Sequence, residues 1–139
     1  MPAEKDHQAL AQHNQDTIDY LLAGGDRFPD WIITVAFYKA LHVIDAMFAR
    51  HFDGHGVDHR IRGEYLKKDN RYRLIYRHYK ALKEASSAAR YLSETCVGGS
   101  YKTFTNYATM EDVKNEFLRF RLAKLEQSVN KLKPTKKQP

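Results

Sequence analysis

Apolar side chains recur every three to four residues along most of the chain, and glycine and proline interrupt this pattern at only a few points. Such spacing is typical of amphipathic α-helices, and no stretch shows the sustained alternation of a strand. We predict helices over residues 4–23, 30–51, 58–68, 70–93 and 110–132. Gly24-Gly25 is expected to end the first helix, and Thr109 with Asp112 forms a capping-box pattern before the last. The pattern therefore predicts an all-α fold, a four- to five-helix bundle with antiparallel, up-and-down packing.

The length of the chain, 139 residues, suits a single domain. We assign residues 1–133 to one helical bundle and residues 134–139 to a flexible basic tail. The most apolar stretch, 31–52, contains charged residues such as Asp45, so it indicates a core helix rather than a membrane span. The single cysteine, Cys96, and an N-terminal region that lacks an apolar signal segment lead us to expect a cytoplasmic protein with no membrane association.

The charge balance raises the expectation of a polyanionic partner. The net charge is +6, although part of the excess lies in the lysines of the C-terminal tail. His55 and His59, with Asp53 and Asp58, offer ligand-type side chains, but Gly54 and the glycine after His55 make this stretch a loop rather than a rigid pair. No phosphate-binding glycine motif occurs. We therefore predict no metal site and no cofactor.

Four short motifs occur in a fixed order within the predicted helices. They are FYKALHVIDA at 37–46, HRIR at 59–62, YKAL at 79–82 and SSAARY at 86–91. Their order and spacing resemble a bacterial branch of the HEPN domain family, over roughly residues 5–130. The resemblance implies a bundle of four or five helices that pairs as a homodimer.

The same resemblance implies two classes of function. Many HEPN domains are metal-independent ribonucleases of toxin–antitoxin, phage-defence and CRISPR systems, whereas others are not catalytic. We therefore expect either a ribonuclease of toxin or defence type, acting on RNA as a homodimer beside an antitoxin or other operon partner protein, or an accessory module. The accessory or adapter module would bind a protein or a nucleic acid without cleaving it.

Active HEPN domains carry an arginine and then a histidine with four to six residues between them. Here six residues separate Arg71 from His78, and four separate Arg73 from His78. On a continuous helix Arg71 lies about 20° from His78 and Arg73 about 140° from it, which favours Arg71 as the phosphate-binding partner. His78 would then serve as general base or acid on the ribose 2′-hydroxyl. Tyr72 and Leu74 follow the arginines, where active members usually carry a polar residue. This departure supports the alternative, in which His78 is a structural histidine at the edge of the core.

A polar stripe runs along the second predicted helix at spacings of four, four and three residues. Its members are Thr34, Tyr38, His42 and Asp45. Because that helix is otherwise apolar, the stripe needs partners inside the bundle. The candidate partners are His59, Arg62 and Arg90. A pair between Asp45 and Arg90 would fix the helix register, and the alternative is a cleft that positions a ligand.

Overall fold

The structure, a computed structural model, describes residues 3–51, 59–91, 104 and 107–132. Its helices are α1 (Glu4–Leu22), α2 (Pro29–His51), α3 (His59–Lys68), α4 (Arg73–Arg90) and α5 (110–131). No strand occurs within the described ranges, which confirms the all-α bundle. The up-and-down order of the helices stays a prediction, and the tail at 134–139 and the loop histidine His55 lie outside the described residues.

Two glycines end α1 as the sequence predicts. Gly25 has a φ of +77°, a conformation that glycine adopts without steric penalty. A Cβ at Gly24 would lie 3.0 Å from the ring of Phe28, so the chain also needs a small residue there. After the 3₁₀ turn Gly25–Arg27, the chain enters α2 at Pro29, whose fixed φ suits the first position of a helix.

Helix α2 is the centre of the core. It packs against α1, α4 and α5, and fourteen of its residues are buried. Of the described helices, it is the one long and apolar enough to cross a membrane, but 61% of that apolar window is buried inside the bundle. Its apolar side chains therefore pack on neighbouring helices, as the charged interruptions in its sequence predict.

Helix α4 is shorter than predicted because its first residues form a separate 3₁₀ turn. The Asp69 carboxylate accepts the backbone N–H of Arg71 at 2.9 Å and holds the turn Asn70–Tyr72, so the α-helix begins at Arg73. The helix ends at Arg90. Arg71 consequently does not lie on the α-helical wheel from which its position was predicted.

The buried side of α4 is wide, and other helices of the same chain cover it. Its buried residues span an arc of about 180° at 100° per residue, covered by α2 on one side and α5 on the other. They are Ile75, His78, Tyr79, Leu82, Ala85, Ser86 and Ala88. The wide apolar arc therefore does not by itself require a second copy of the chain.

Helix α5 contains a long segment with π-helical hydrogen bonding. The helix opens at the predicted capping box, in which the Thr109 hydroxyl accepts the Asp112 N–H at 3.1 Å and the Asp112 carboxylate accepts the Thr109 N–H at 3.0 Å. Met110–Asp112 is α-helical, Val113–Leu122 is π-helical and Ala123–Lys131 is again α-helical. Because each π-helical bond reaches back five residues, side chains five apart become neighbours there.

Candidate functional site

His78 is buried between α4 and α5 and is only 4% exposed. Its Nδ1 lies 3.4 Å from Nη1 of Arg121, and its ring meets the ring of Phe120 edge to face at 5.3 Å between centroids. Burial lowers the pKa of His78, and the positive charge of Arg121 lowers it further. The imidazole is therefore neutral near pH 7, surrounded by side chains of its own chain.

The arginine beside His78 is one that the sequence does not single out. Arg121 donates from Nε to Oε2 of Glu116 at 2.8 Å, and these two residues stand five positions apart. On an α-helix they would lie about 140° apart, but in the π-helical segment they are one turn apart. The π-helical turn thus creates the row Glu116–Arg121–His78, which α-helical periodicity cannot reveal.

Neither arginine of the predicted catalytic motif is paired with His78 among the described contacts. Arg71 donates from Nη2 to Asp69 at 2.9 Å and lies over the Tyr72 ring. Arg73 is exposed and donates to the Asn70 side chain at 3.1 Å. Both arginines thus lie on the solvent side of the α4 start, whereas His78 faces the core.

The two arginines instead line a surface groove of about 520 Å³ between the start of α4 and the end of α5. Lys131 and Ser128 of α5 also line it, together with Asn70. Leu74, which is 53% exposed, adds an apolar patch. The groove therefore presents three cations and uncharged hydrogen-bonding groups to solvent.

The polar stripe of α2 divides into separate contacts. The Thr34 hydroxyl donates to the Asp30 carbonyl oxygen one turn back at 2.8 Å, so it is satisfied within its own helix. Tyr38 is 37% exposed, and the Arg90 guanidinium lies 5.9 Å from its ring centre. His42 lies with its Nδ1 at 3.1 Å from Nδ1 of His7 in α1. The expectation that the whole stripe is interior is therefore wrong at Tyr38.

Asp45 forms a buried ion pair with Arg62 rather than with Arg90. Its two oxygens accept from Nε and Nη2 of Arg62 at 2.7 and 2.8 Å, and the residues are 8% and 3% exposed. Burial acts to lower the pKa of Arg62, but the hydrogen bonds and charge of Asp45 outweigh it and raise the pKa. Arg62 was one of the partners predicted from the stripe, and the bidentate pair ties α3 to α2.

Tyr79 lies beside this ion pair. Burial raises the pKa of Tyr79, and the neighbouring Arg62 charge opposes that rise. The Tyr79 hydroxyl is buried and makes no well-aligned hydrogen bond to a described residue. His59 begins α3, but its side chain lies outside the described residues.

Arg90, one of the candidate partners expected inside the bundle, is exposed instead. It is the last residue of the helix, so its side chain extends past the core. Its Nε donates to the Ser86 hydroxyl at 3.1 Å, and its guanidinium lies 5.1 Å from the Tyr91 ring centre. Arg90 thus joins Tyr38 at the surface rather than Asp45 in the interior.

The chain matches no family model, no curated protein and no solved structure.

Proposed function

We propose that the chain is a non-catalytic, HEPN-like accessory module that binds single-stranded RNA. The burial of His78 within its own chain, at 4% exposure and against Arg121, carries this proposal. A general base must come within about 2.6–3.2 Å of the proton that it removes. A ring covered by Phe120 and Arg121 cannot reach a ribose hydroxyl unless α5 moves away from it.

The groove beside α4 supports RNA as the partner. Arg71, Arg73 and Lys131 supply positive charge, and the backbone phosphates of RNA are the groups that such cations neutralise. The link between Arg71 and Asp69 is exposed, with side chains 40% and 38% accessible, so a phosphate in the solvent can compete with Asp69 for Arg71. The net charge of +6 acts in the same direction.

The alternative is the metal-independent ribonuclease of toxin or defence type that the resemblance implies. The contact between Arg121 and His78 is the observation in its favour, because an arginine beside a neutral imidazole is the pair of groups that phosphate binding and proton transfer need. In that alternative Arg121, rather than Arg71, binds the phosphate, and dimerisation has to open the packing around His78.

Fluorescence anisotropy with a labelled single-stranded RNA tests the proposal. The double variant Arg71→Ala/Arg73→Ala is expected to bind more weakly, and the slope of log affinity against log salt should fall by about 1.4, or about 0.7 for each lost phosphate contact. Arg27→Ala is the matched control, since Arg27 is an exposed arginine in the turn before α2 and does not line the groove. Equal losses in both variants would refute the groove as the binding surface.

A further inference from the structure

Two histidines from different helices meet outside the groove. His7 of α1 and His42 of α2 place their Nδ1 atoms 3.1 Å apart, with ring centroids at 5.3 Å and ring planes inclined by 30°. A carboxylate oxygen of Asp45 completes a cluster in which all three potential ligand atoms lie within 4.8 Å of one another. His42 and Asp45 are three residues apart on α2, a spacing that puts both on one side of a helix.

Contacts before and after His7 along α1 fix its position against α2. Arg50 donates to the Glu4 carboxylate at 3.1 Å one turn before His7, and Lys39 donates to the Gln15 side chain at 2.6 Å two turns after it. These contacts set the register of α1 on α2. The meeting of the two imidazoles is therefore a product of helix packing, not of a mobile surface side chain.

We propose that His7, His42 and Asp45 bind a divalent transition-metal ion of the zinc type. Two imidazole nitrogens and one carboxylate oxygen are a donor set that Zn²⁺ and other late first-row ions accept, whereas Mg²⁺ and Ca²⁺ prefer several oxygens. Three protein ligands leave at least one coordination position for water or a small ligand. The site is independent of the RNA-binding groove.

The distances suit such an ion with small movements. Zn–N bonds of about 2.0–2.1 Å in a tetrahedral site separate two nitrogens by about 3.3–3.4 Å, so the 3.1 Å between His7 and His42 needs to open by a few tenths of an ångström. The Asp45 oxygen lies within 4.8 Å of both nitrogens, so it reaches the ion after a shift of up to about 1.5 Å or through a bound water. Arg62 occupies one lone pair on each oxygen of Asp45, and about two of the four remain.

The charges around the cluster affect how strongly it holds a cation. Burial lowers the pKa of His42, and the neighbouring His7 lowers it further, whereas the charge of Asp45 opposes both. Without a metal the same geometry holds a single hydrogen bond between the two rings. The positive charge of Arg62 beside Asp45 reduces the affinity for any cation, so binding is expected to be moderate rather than very tight.

Isothermal titration of the untagged chain of 139 residues with ZnCl₂ tests the proposal. Wild type is expected to bind one Zn²⁺ per chain, and His7→Ala and His42→Ala should each weaken that binding by about tenfold or more. His13→Ala is the matched control, because His13 lies exposed on the same helix α1 outside the cluster, and its variant should bind as wild type does.

Two results would overturn the site: a wild type that takes up no Zn²⁺, or a His7→Ala chain that binds it as tightly as wild type. His7 is only partly buried, so its variant is expected to fold, which circular dichroism checks. If His42→Ala unfolds, the comparison of His7→Ala with His13→Ala decides. RNA anisotropy is measured separately, so failure of either proposal is recognised on its own.

Discussion

Removal of the Asp45 carboxylate tests the buried ion pair. Asp45 and Arg62 are 8% and 3% exposed, and both oxygens of the carboxylate accept hydrogen bonds from the guanidinium. Asp45→Ala leaves a buried positive charge without this counterion and opens space beside it. The loss of one partner from a buried pair costs about 3–5 kcal/mol, a large share of a total stability of about 5–15 kcal/mol.

Thermal unfolding followed by circular dichroism measures this loss. At roughly 3–4 °C per kcal/mol for a chain of this size, the loss of about 3–5 kcal/mol in Asp45→Ala should lower the Tm by roughly 9–20 °C. Asp16→Ala is the control, because Asp16 is an exposed carboxylate on α1 that accepts one hydrogen bond from Gln12, and its Tm should move by less than about 2 °C. A Tm for Asp45→Ala within about 2 °C of wild type would show that water reaches the pair and would refute its structural role.

Three further predictions can be tested on the same protein. Replacement of both partners, as in Asp45→Leu/Arg62→Met, should recover much of the stability that Asp45→Ala loses, since no buried charge remains; a double variant no more stable than the single one would contradict this. Because burial and then Arg121 lower the pKa of His78 below 6.5, the unfolded chain binds more protons in acid, and stability falls as pH drops below about 6.5. Between pH 7.5 and pH 5.5 the Tm should fall less for His78→Gln than for wild type. An equal fall in both proteins would count against the lowered pKa of His78. The homodimer stays a prediction that rests on the family resemblance: light scattering should give about twice the 16.2 kDa of one chain, and the single-chain mass would contradict it.

Much of the fold follows from local features that can be recognised in the sequence. The helical periodicity, the Gly24-Gly25 stop and the capping box of Thr109 and Asp112 predict elements whose stabilising contacts lie within a few residues. The start of α4 was missed because Asp69 caps a 3₁₀ turn there, where the same residue could equally begin an α-helix. The π-helical segment of α5 has no signature in the pattern of apolar residues.

The candidate site was less predictable because it depends on contacts between distant helices. The stripe on α2 correctly indicates that Asp45 needs a partner, and Arg62 was among the three considered. Sequence spacing could not decide between Arg62 and Arg90, since the choice depends on where α4 ends. His7 and Arg121 were missed altogether, because only the packing of α1 and α5 brings them to the histidines of α2 and α4.

The central claim is that this chain binds RNA and does not cleave it. The most direct measurement incubates the purified wild-type chain with end-labelled single-stranded RNA, with and without divalent metal, and follows anisotropy and gel mobility on the same samples. The account predicts salt-sensitive binding with the RNA left intact. Cleavage that persists in EDTA and falls by about 10²–10⁴-fold in His78→Ala would contradict it, and would make His78 with Arg121 a catalytic pair.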